Sequence, residues 1–222
     1  MSYGLVIFDL DGTLIDSEPL SCRAVSETLQ GLGLDYSTHD ILGRFVGIAS
    51  SEMIATIEAE SRRSLPADVV ARMEARMARL FETELKPLPG VSALLDRLSV
   101  ASCVASNSPR DYVHRSLEQA GLATLLPANS RFSADMVARP KPAPDLFRFA
   151  ATQFGKAPEA CLVIEDSEAG VRAACAAGMA ALGFVGGSHV GEPDCLAARL
   201  RAAGATLTFE RYDEAPALLA RL

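Results

Sequence analysis

The sequence has no C-x-x-C pair, no block of lysine and arginine, and no long apolar stretch free of glycine; each absence removes a class of protein. Its five cysteines, Cys22, Cys103, Cys161, Cys175 and Cys195, are scattered singly over 222 residues. An odd and widely spaced set argues against a disulfide framework, a zinc ribbon and a dithiol redox motif, and predicts a reducing, cytoplasmic setting. With 21 basic against 28 acidic side chains the net charge is −7. Without a basic patch the counterion-releasing contacts that hold nucleic acid are lacking, so neither nucleic acid nor an anionic membrane is an expected partner. The long uncharged stretch 173–191 is broken by Gly178, Gly183, Gly186, Gly187 and Gly191. It reads as a helix, a glycine stop and a buried strand, not as a membrane span. The opening MSYGLVIFD has no basic leader and its apolar run is interrupted by Asp9, so no secretory signal is expected. G-x-S-x-G, P-loop and G-x-G-x-x-G motifs are absent too, which leaves serine hydrolases and nucleotide-binding folds without support.

What is present is a chain that is 49% apolar and 22% charged, enough to drive folding of one large domain or of one domain carrying an insertion. Short apolar runs bounded by turn residues recur at 5–8, 100–105, 161–164, 181–185 and, more weakly, 206–209. Segments of helical periodicity lie between them at 110–121, 143–155, 167–178 and 195–203. This alternation predicts an α/β fold, a doubly wound parallel sheet covered on both faces. From Ser17 to Lys86 no strand-like run occurs, while apolar residues keep helical spacing at 24–32, 53–57 and 69–80. Met73, Met77, Leu80 and Phe81 form a bundle-facing stripe there. The expected organisation is a core of 1–16 and 88–222 with a small helical insert at 17–87, closed by the proline-rich linker Lys86-Pro87-Leu88-Pro89-Gly90.

Polar residues gather where these strands end, which is where open α/β sheets bind ligands. Asp9-Leu10-Asp11-Gly12-Thr13 follows the first run. A calcium loop counted from Asp9 fails, because Leu14 and Leu20 stand where glycine and glutamate are needed; an Asp-Gly turn after a strand remains the plain alternative. Ser106-Asn107-Ser108-Pro109 follows the second run and offers hydroxyls and amide groups at a helix start, or a simple helix cap. Arg139-Pro140-Lys141-Pro142 holds a lysine between prolines, as a positioned cation or a solvated one. Glu165-Asp166-Ser167 leaves a buried strand with two adjacent acids, of which helix capping accounts for only one. Together these residues describe a magnesium site beside a phosphate site: hard oxygen ligands, a cation, and a carboxylate able to attack phosphorus. His39, His114 and His189 have no acidic or cysteine partner at ligand spacing and read as surface residues.

Asp9-x-Asp11-Gly12-Thr13, Ser106-Asn107, Lys141-Pro142 and Glu165-Asp166-Ser167-x-x-Gly170 resemble, in order and spacing, the four motifs of the haloacid dehalogenase superfamily. That resemblance implies a Rossmann-like core with a helical cap, Asp9 as nucleophile and Asp11 as general acid and base. It implies Mg²⁺ held by Asp9, the backbone carbonyl of Asp11, Asp166 and Glu165, and phosphate gripped by Thr13, Ser106, Asn107 and Lys141. Asp16-Ser17-Glu18 and Arg44-Phe45-Val46-Gly47-Ile48, read as a cap loop, are similar to the branch of sugar-phosphate phosphatases and β-phosphoglucomutases. On that basis Glu18 and Arg44 are substrate-binding candidates, and Arg23, Ser50 and Ser51 are candidates for selectivity. The mutases' cap histidine, lysine and arginine correspond to Ser21, Val46 and Ser50, which favours a phosphatase. The chain as a whole most resembles the 6-phosphogluconate phosphatase subgroup. The implied partner is a small phosphorylated sugar or sugar acid, acted on by a monomer or weak homo-oligomer.

Overall fold

A computed structural model of the chain describes residues 3–221. Among them six strands run parallel in one sheet: β1 (Leu5–Phe8), β2 (Ala101–Ser106), β3 (Arg131–Ser133), β4 (Cys161–Glu165), β5 (Ala180–Phe184) and β6 (Leu207–Phe209). Their order is β3-β2-β1-β4-β5-β6. β1 is central, with Leu5 in register with Ala101 on one side and Cys161 on the other. A parallel strand covered on both faces has no wet side, so Leu5, Val6, Ile7 and Phe8 are apolar without alternation and wholly buried. Each contributes roughly 1.5–3 kcal/mol by leaving water. The chain winds outward from β1 to β3 and then crosses back to β4. That reversal opens a crevice between the carboxyl ends of β1 and β4.

The helices are α1 (Glu18–Gly31), α2 (Thr38–Phe45), α3 (Ser50–Ser61), α4 (Val69–Glu84) and α5 (Val91–Arg97). After β2 come α6 (Arg110–Gln119), α7 (Asp145–Gln153), α8 (Glu168–Ala177), α9 (Pro193–Ala203) and α10 (Ala215–Arg221). The stretch 173–191 divides as its glycines require: α8 stops at Gly178, which is left-handed at φ +84°, and β5 follows. None of the described helices is long and apolar enough to cross a membrane.

Two compact units result, Met1–Asp16 with Lys86–Leu222, and Ser17–Leu85. Residues 86 and 87, assigned to the insert from sequence, belong with the sheet. The Asp16 amide donates to the Lys86 carbonyl at 3.0 Å, and Ile15 bridges to Pro87. The helical unit packs α1 to α4 around Leu29, Ile41, Phe45, Met53, Ile57 and Met73. Arg44 and Phe45, read as part of a loop, instead end α2, whose start is a capping box between Ser37 and Asp40. β3 was also unexpected. It opens with Arg131, which is buried and donates to the carbonyls of Leu126 (2.8 Å) and Ala123 (3.3 Å), so it shows no apolar run.

Candidate active site

β1 delivers Asp9. Its amide donates to the Ile164 carbonyl at 2.9 Å, so the β1–β4 ladder runs one residue beyond the strand and holds Asp9 next to the end of β4. The chain then turns tightly, with Gly12 N–H on the Ile15 carbonyl (3.0 Å) and Leu14 N–H on the Leu10 carbonyl (2.8 Å). Gly12 has φ +72°, and a Cβ there would stand 2.2 Å from Asp166 Oδ2. Glycine is required both for the turn and for the approach of that carboxylate.

Lys141 reaches the same place from the segment before α7. Its backbone is held by a reciprocal pair: its N–H donates to Asn107 Oδ1 and its carbonyl accepts from Asn107 Nδ2, each at 2.9 Å. Its side chain is 3% exposed, and Nζ donates to Asp9 Oδ1 and Glu165 Oε1, both at 2.6 Å. The second oxygen of Glu165, itself wholly buried, accepts from the Ser167 amide (3.1 Å) and hydroxyl (2.8 Å). Ser167 Oγ also caps α8 by accepting from the Gly170 amide at 3.0 Å. A Cβ at Gly170 would fall 1.8 Å from Glu165 Oε1. The spacing Glu-Asp-Ser-x-x-Gly is thus a seat for one buried carboxylate.

Electrostatics follow from this crowding. Burial pushes the Asp9 carboxyl up to about 7; Lys141 pulls it down, while Glu165 and Asp11 push it further up. Burial opposes the charge on Lys141, yet Asp9 and Glu165 hold its pKa above the ordinary lysine value. Asp9, Glu165 and Asp166 each present an oxygen within 4.8 Å of the others. Three carboxylates against one ammonium leave surplus negative charge, and the donors are hard oxygens, a set that fits a divalent cation. The Asp11 carboxylate is outside this group. It accepts from the hydroxyls of Ser108 (2.9 Å) and Tyr112 (2.7 Å).

Thr13 is fully buried; its carbonyl accepts from Tyr212 OH at 2.7 Å, and its hydroxyl has no hydrogen-bond partner. Ser106 is buried and its Oγ accepts from the Ser108 amide at 3.0 Å. In the helical unit, Glu18 lies in the first turn of α1 and Arg44 pairs with Glu60 and stacks on Phe45. Arg23 pairs with Glu84 and Glu27, Ser21 Oγ donates to the Ser17 carbonyl, and Val46, Ser50 and Ser51 lie after α2 and at the start of α3.

Sequence reasoning missed Tyr112, one helical turn beyond Ser108, and misplaced two histidines. His189 is not a surface residue: its side chain is 11% exposed and its Nε2 lies 3.7 Å from Asp166 Oδ2. Burial lowers its pKa, against the pull of Asp16. His114 is half-buried, with Nδ1 3.1 Å from an Arg131 nitrogen, while His39 is exposed. Both corrected contacts join residues far apart in the chain, which spacing along it does not reveal.

The family model for haloacid dehalogenase-like hydrolases matches residues 6–184. The chain belongs to that family. It is 33% identical to the 6-phosphogluconate phosphatase of Escherichia coli over 187 residues, covering 83% of each protein. It is 32% identical to the fructose-1-phosphate phosphatase of the same organism, over 81% of this chain and 95% of that one. A crystal structure of a family hydrolase from Deinococcus radiodurans, with bound phosphate and sodium, superposes with a TM-score of 0.87 at 33% identity, covering 99% of this chain and 96% of that one. The Rossmann-like parallel sheet is the fold of this family.

Proposed function

We propose that the crevice at the ends of β1 and β4 hydrolyses small phosphorylated sugars or sugar acids, 6-phosphogluconate-like, through a phosphorylated Asp9 and with Mg²⁺. The chain is a phosphoric monoester hydrolase. That coarse activity follows from its family and from relatives named as phosphatases of 6-phosphogluconate and fructose 1-phosphate. The observation that carries the finer reading is the buried Lys141 ammonium shared at 2.6 Å between Asp9 and Glu165, with Asp166 alongside. The Deinococcus relative binds phosphate and sodium, which supports binding of an anion and of a cation by this fold.

In this reading an oxygen of Asp9 attacks phosphorus as the bond to the sugar oxygen breaks, and the carboxyl of Asp11 gives its proton to that leaving oxygen. Water then attacks phosphorus, passing a proton to Asp11, and the bond to Asp9 breaks to release phosphate and restore the carboxylate. Ser108 and Tyr112, which hold the Asp11 carboxylate, orient it for both transfers. Asn107 fixes the Lys141 backbone, and Lys141, Ser106 and Thr13 bind the phosphoryl oxygens. Asp9, Asp166, the Asp11 carbonyl and Glu165 would hold the metal, which supplies positive charge that keeps Asp9 ionised and offsets charge on the transferring group. The unit Ser17–Leu85 is assigned the cap role, with Glu18 and Arg44 as substrate-binding residues. The phosphatase reading is preferred to the mutase one because Ser21 stands where the resemblance puts the mutases' cap histidine.

A panel of phosphorylated sugars, sugar acids, glycolate and nucleotides, assayed for phosphate release with and without Mg²⁺, tests the proposal. Metal-dependent release from sugar or sugar-acid esters, lost by at least about 10³-fold in Asp9→Asn, is expected. Near wild-type release by that variant contradicts it.

A further inference from the structure

The loop after β5, residues 186–191, has no part in the reaction described above, yet it carries a nearly buried histidine to the edge of the site. His189 Nε2 faces Asp166 Oδ2 at 3.7 Å. Its Nδ1 is buried and without a hydrogen-bond partner. The ring packs closely against two glycines. A Cβ at Gly12 would come 2.9 Å from His189 Cε1, and one at Gly187 would come 2.5 Å from Cε1 and 2.7 Å from Nδ1. The loop is itself tied down, by Val190 N–H on the Gly187 carbonyl at 2.9 Å and by Ser188 Oγ on the Asp16 carboxylate.

A ring nitrogen turned toward a carboxylate is attracted only if it bears hydrogen; a lone pair there is repelled. This holds for the neutral and the charged imidazole alike, so Nε2–H faces Asp166 and Nδ1 is the nitrogen left over. At 3.7 Å the pair is about 0.7 Å beyond an ordinary hydrogen bond, so the contact is an electrostatic attraction across a short gap. The missing Cβ atoms at Gly12 and Gly187 are what make room for the ring at this position.

We infer that His189 is a positioning residue for Asp166: Nε2–H fixes the orientation of that carboxylate and thereby sets the affinity of the site for a divalent cation. The inference rests on the proposed role of Asp166 as a metal ligand. Groups that orient a ligand from behind typically change metal affinity 10–100-fold when removed. If the ring were only filler, its shape would matter and the identity of its nitrogen would not.

The test is calorimetric titration of Mg²⁺ into the metal-stripped full chain, comparing wild type, Asp166→Asn, His189→Asn and His189→Gln, with melting temperatures recorded for each. A glutamine amide reaches the place of Nε2, whereas an asparagine amide reaches only that of Nδ1. The expected result is binding by the wild type, its loss in Asp166→Asn, affinity weakened about 10–100-fold in His189→Asn, and most of it kept in His189→Gln. Equal affinity in both histidine variants and wild type overturns the inference. So does equal weakening in both with a matching fall in melting temperature, which marks lost packing. If the wild type itself binds no Mg²⁺, the metal reading fails and the inference fails with it; if the wild type binds and the histidine variants match it, only the inference fails.

Discussion

Lys141 joins two buried carboxylates with one charge, and that arrangement makes each partner costly to remove singly. Lys141→Met leaves Glu165 and Asp9 uncompensated and is expected to destabilise the fold by about 3–5 kcal/mol in urea unfolding. Adding Glu165→Gln should recover a large part of that loss without restoring phosphate release, because the stranded charge is gone but the phosphate-binding cation is not replaced; strictly additive effects would show that the pair is uncoupled. Asp9 gives a second, pH-dependent signature. Its carboxyl stands at about 7 in the folded, metal-free chain and about 4 unfolded. The folded state therefore binds the extra proton between these values, and wild type loses stability relative to Asp9→Asn as pH rises from about 4 to about 7. Thermal melts of the two metal-free proteins across that window should diverge in this direction; parallel curves would mean that Asp9 is not strained by burial. Asp9, Glu165 and Asp166 are legible in the sequence because each ends or follows an apolar run, and Lys141 because prolines stand on both sides of it. His189 and Tyr112 are not, since what gives them meaning is a contact with an aspartate that follows a different strand, Asp166 after β4 and Asp11 after β1.

The elements that carry these residues differ in how openly the chain announces them. β1 and β4 read plainly, as uninterrupted apolar runs, because both faces of a central parallel strand are covered. β3 is silent because an edge strand of three residues that starts with a buried arginine has neither an apolar run nor alternation. α2 is silent because its first turn is polar, and the usable signal is the Ser37–Asp40 box. α8 shows how an element and a site share residues. Ser167→Ala removes both the cap on the Gly170 amide and a donor to Glu165. A loss of about 1 kcal/mol from the cap is expected, with a further loss from the unsatisfied carboxylate. Gly170→Ala should cost more, because the new methyl collides with the Glu165 carboxylate, which Lys141 and Ser167 hold in place. Urea unfolding of both variants checks the order; an unperturbed Gly170→Ala would place Glu165 elsewhere.

For the molecule as a whole, the division at 16–17 and 85–86 matters most. The two connections leave the sheet unit side by side, since the Asp16 amide and the Lys86 carbonyl are hydrogen-bonded at 3.0 Å. Replacing 17–85 by a short glycine linker between Asp16 and Lys86 is therefore expected to leave a sheet unit that melts cooperatively and keeps measurable phosphate release. It should lose discrimination among phosphate esters if the helical unit is the selective cap. Circular dichroism and the same ester panel check both parts, and a variant that folds and retains full selectivity would remove the cap assignment. The apolar periodicity of the insert is legible because a small bundle needs a continuous stripe, whereas the orientation of Arg44 toward Glu60 within it is not.

The most direct measurement is of Asp9 itself. Wild-type enzyme quenched in mid-turnover, reduced with borohydride and digested, should yield the peptide spanning residue 9 with that aspartate converted to homoserine, the mark of an acyl phosphate. Turnover that leaves this peptide unchanged, or puts the mark on Asp11 or another carboxylate, would contradict the account.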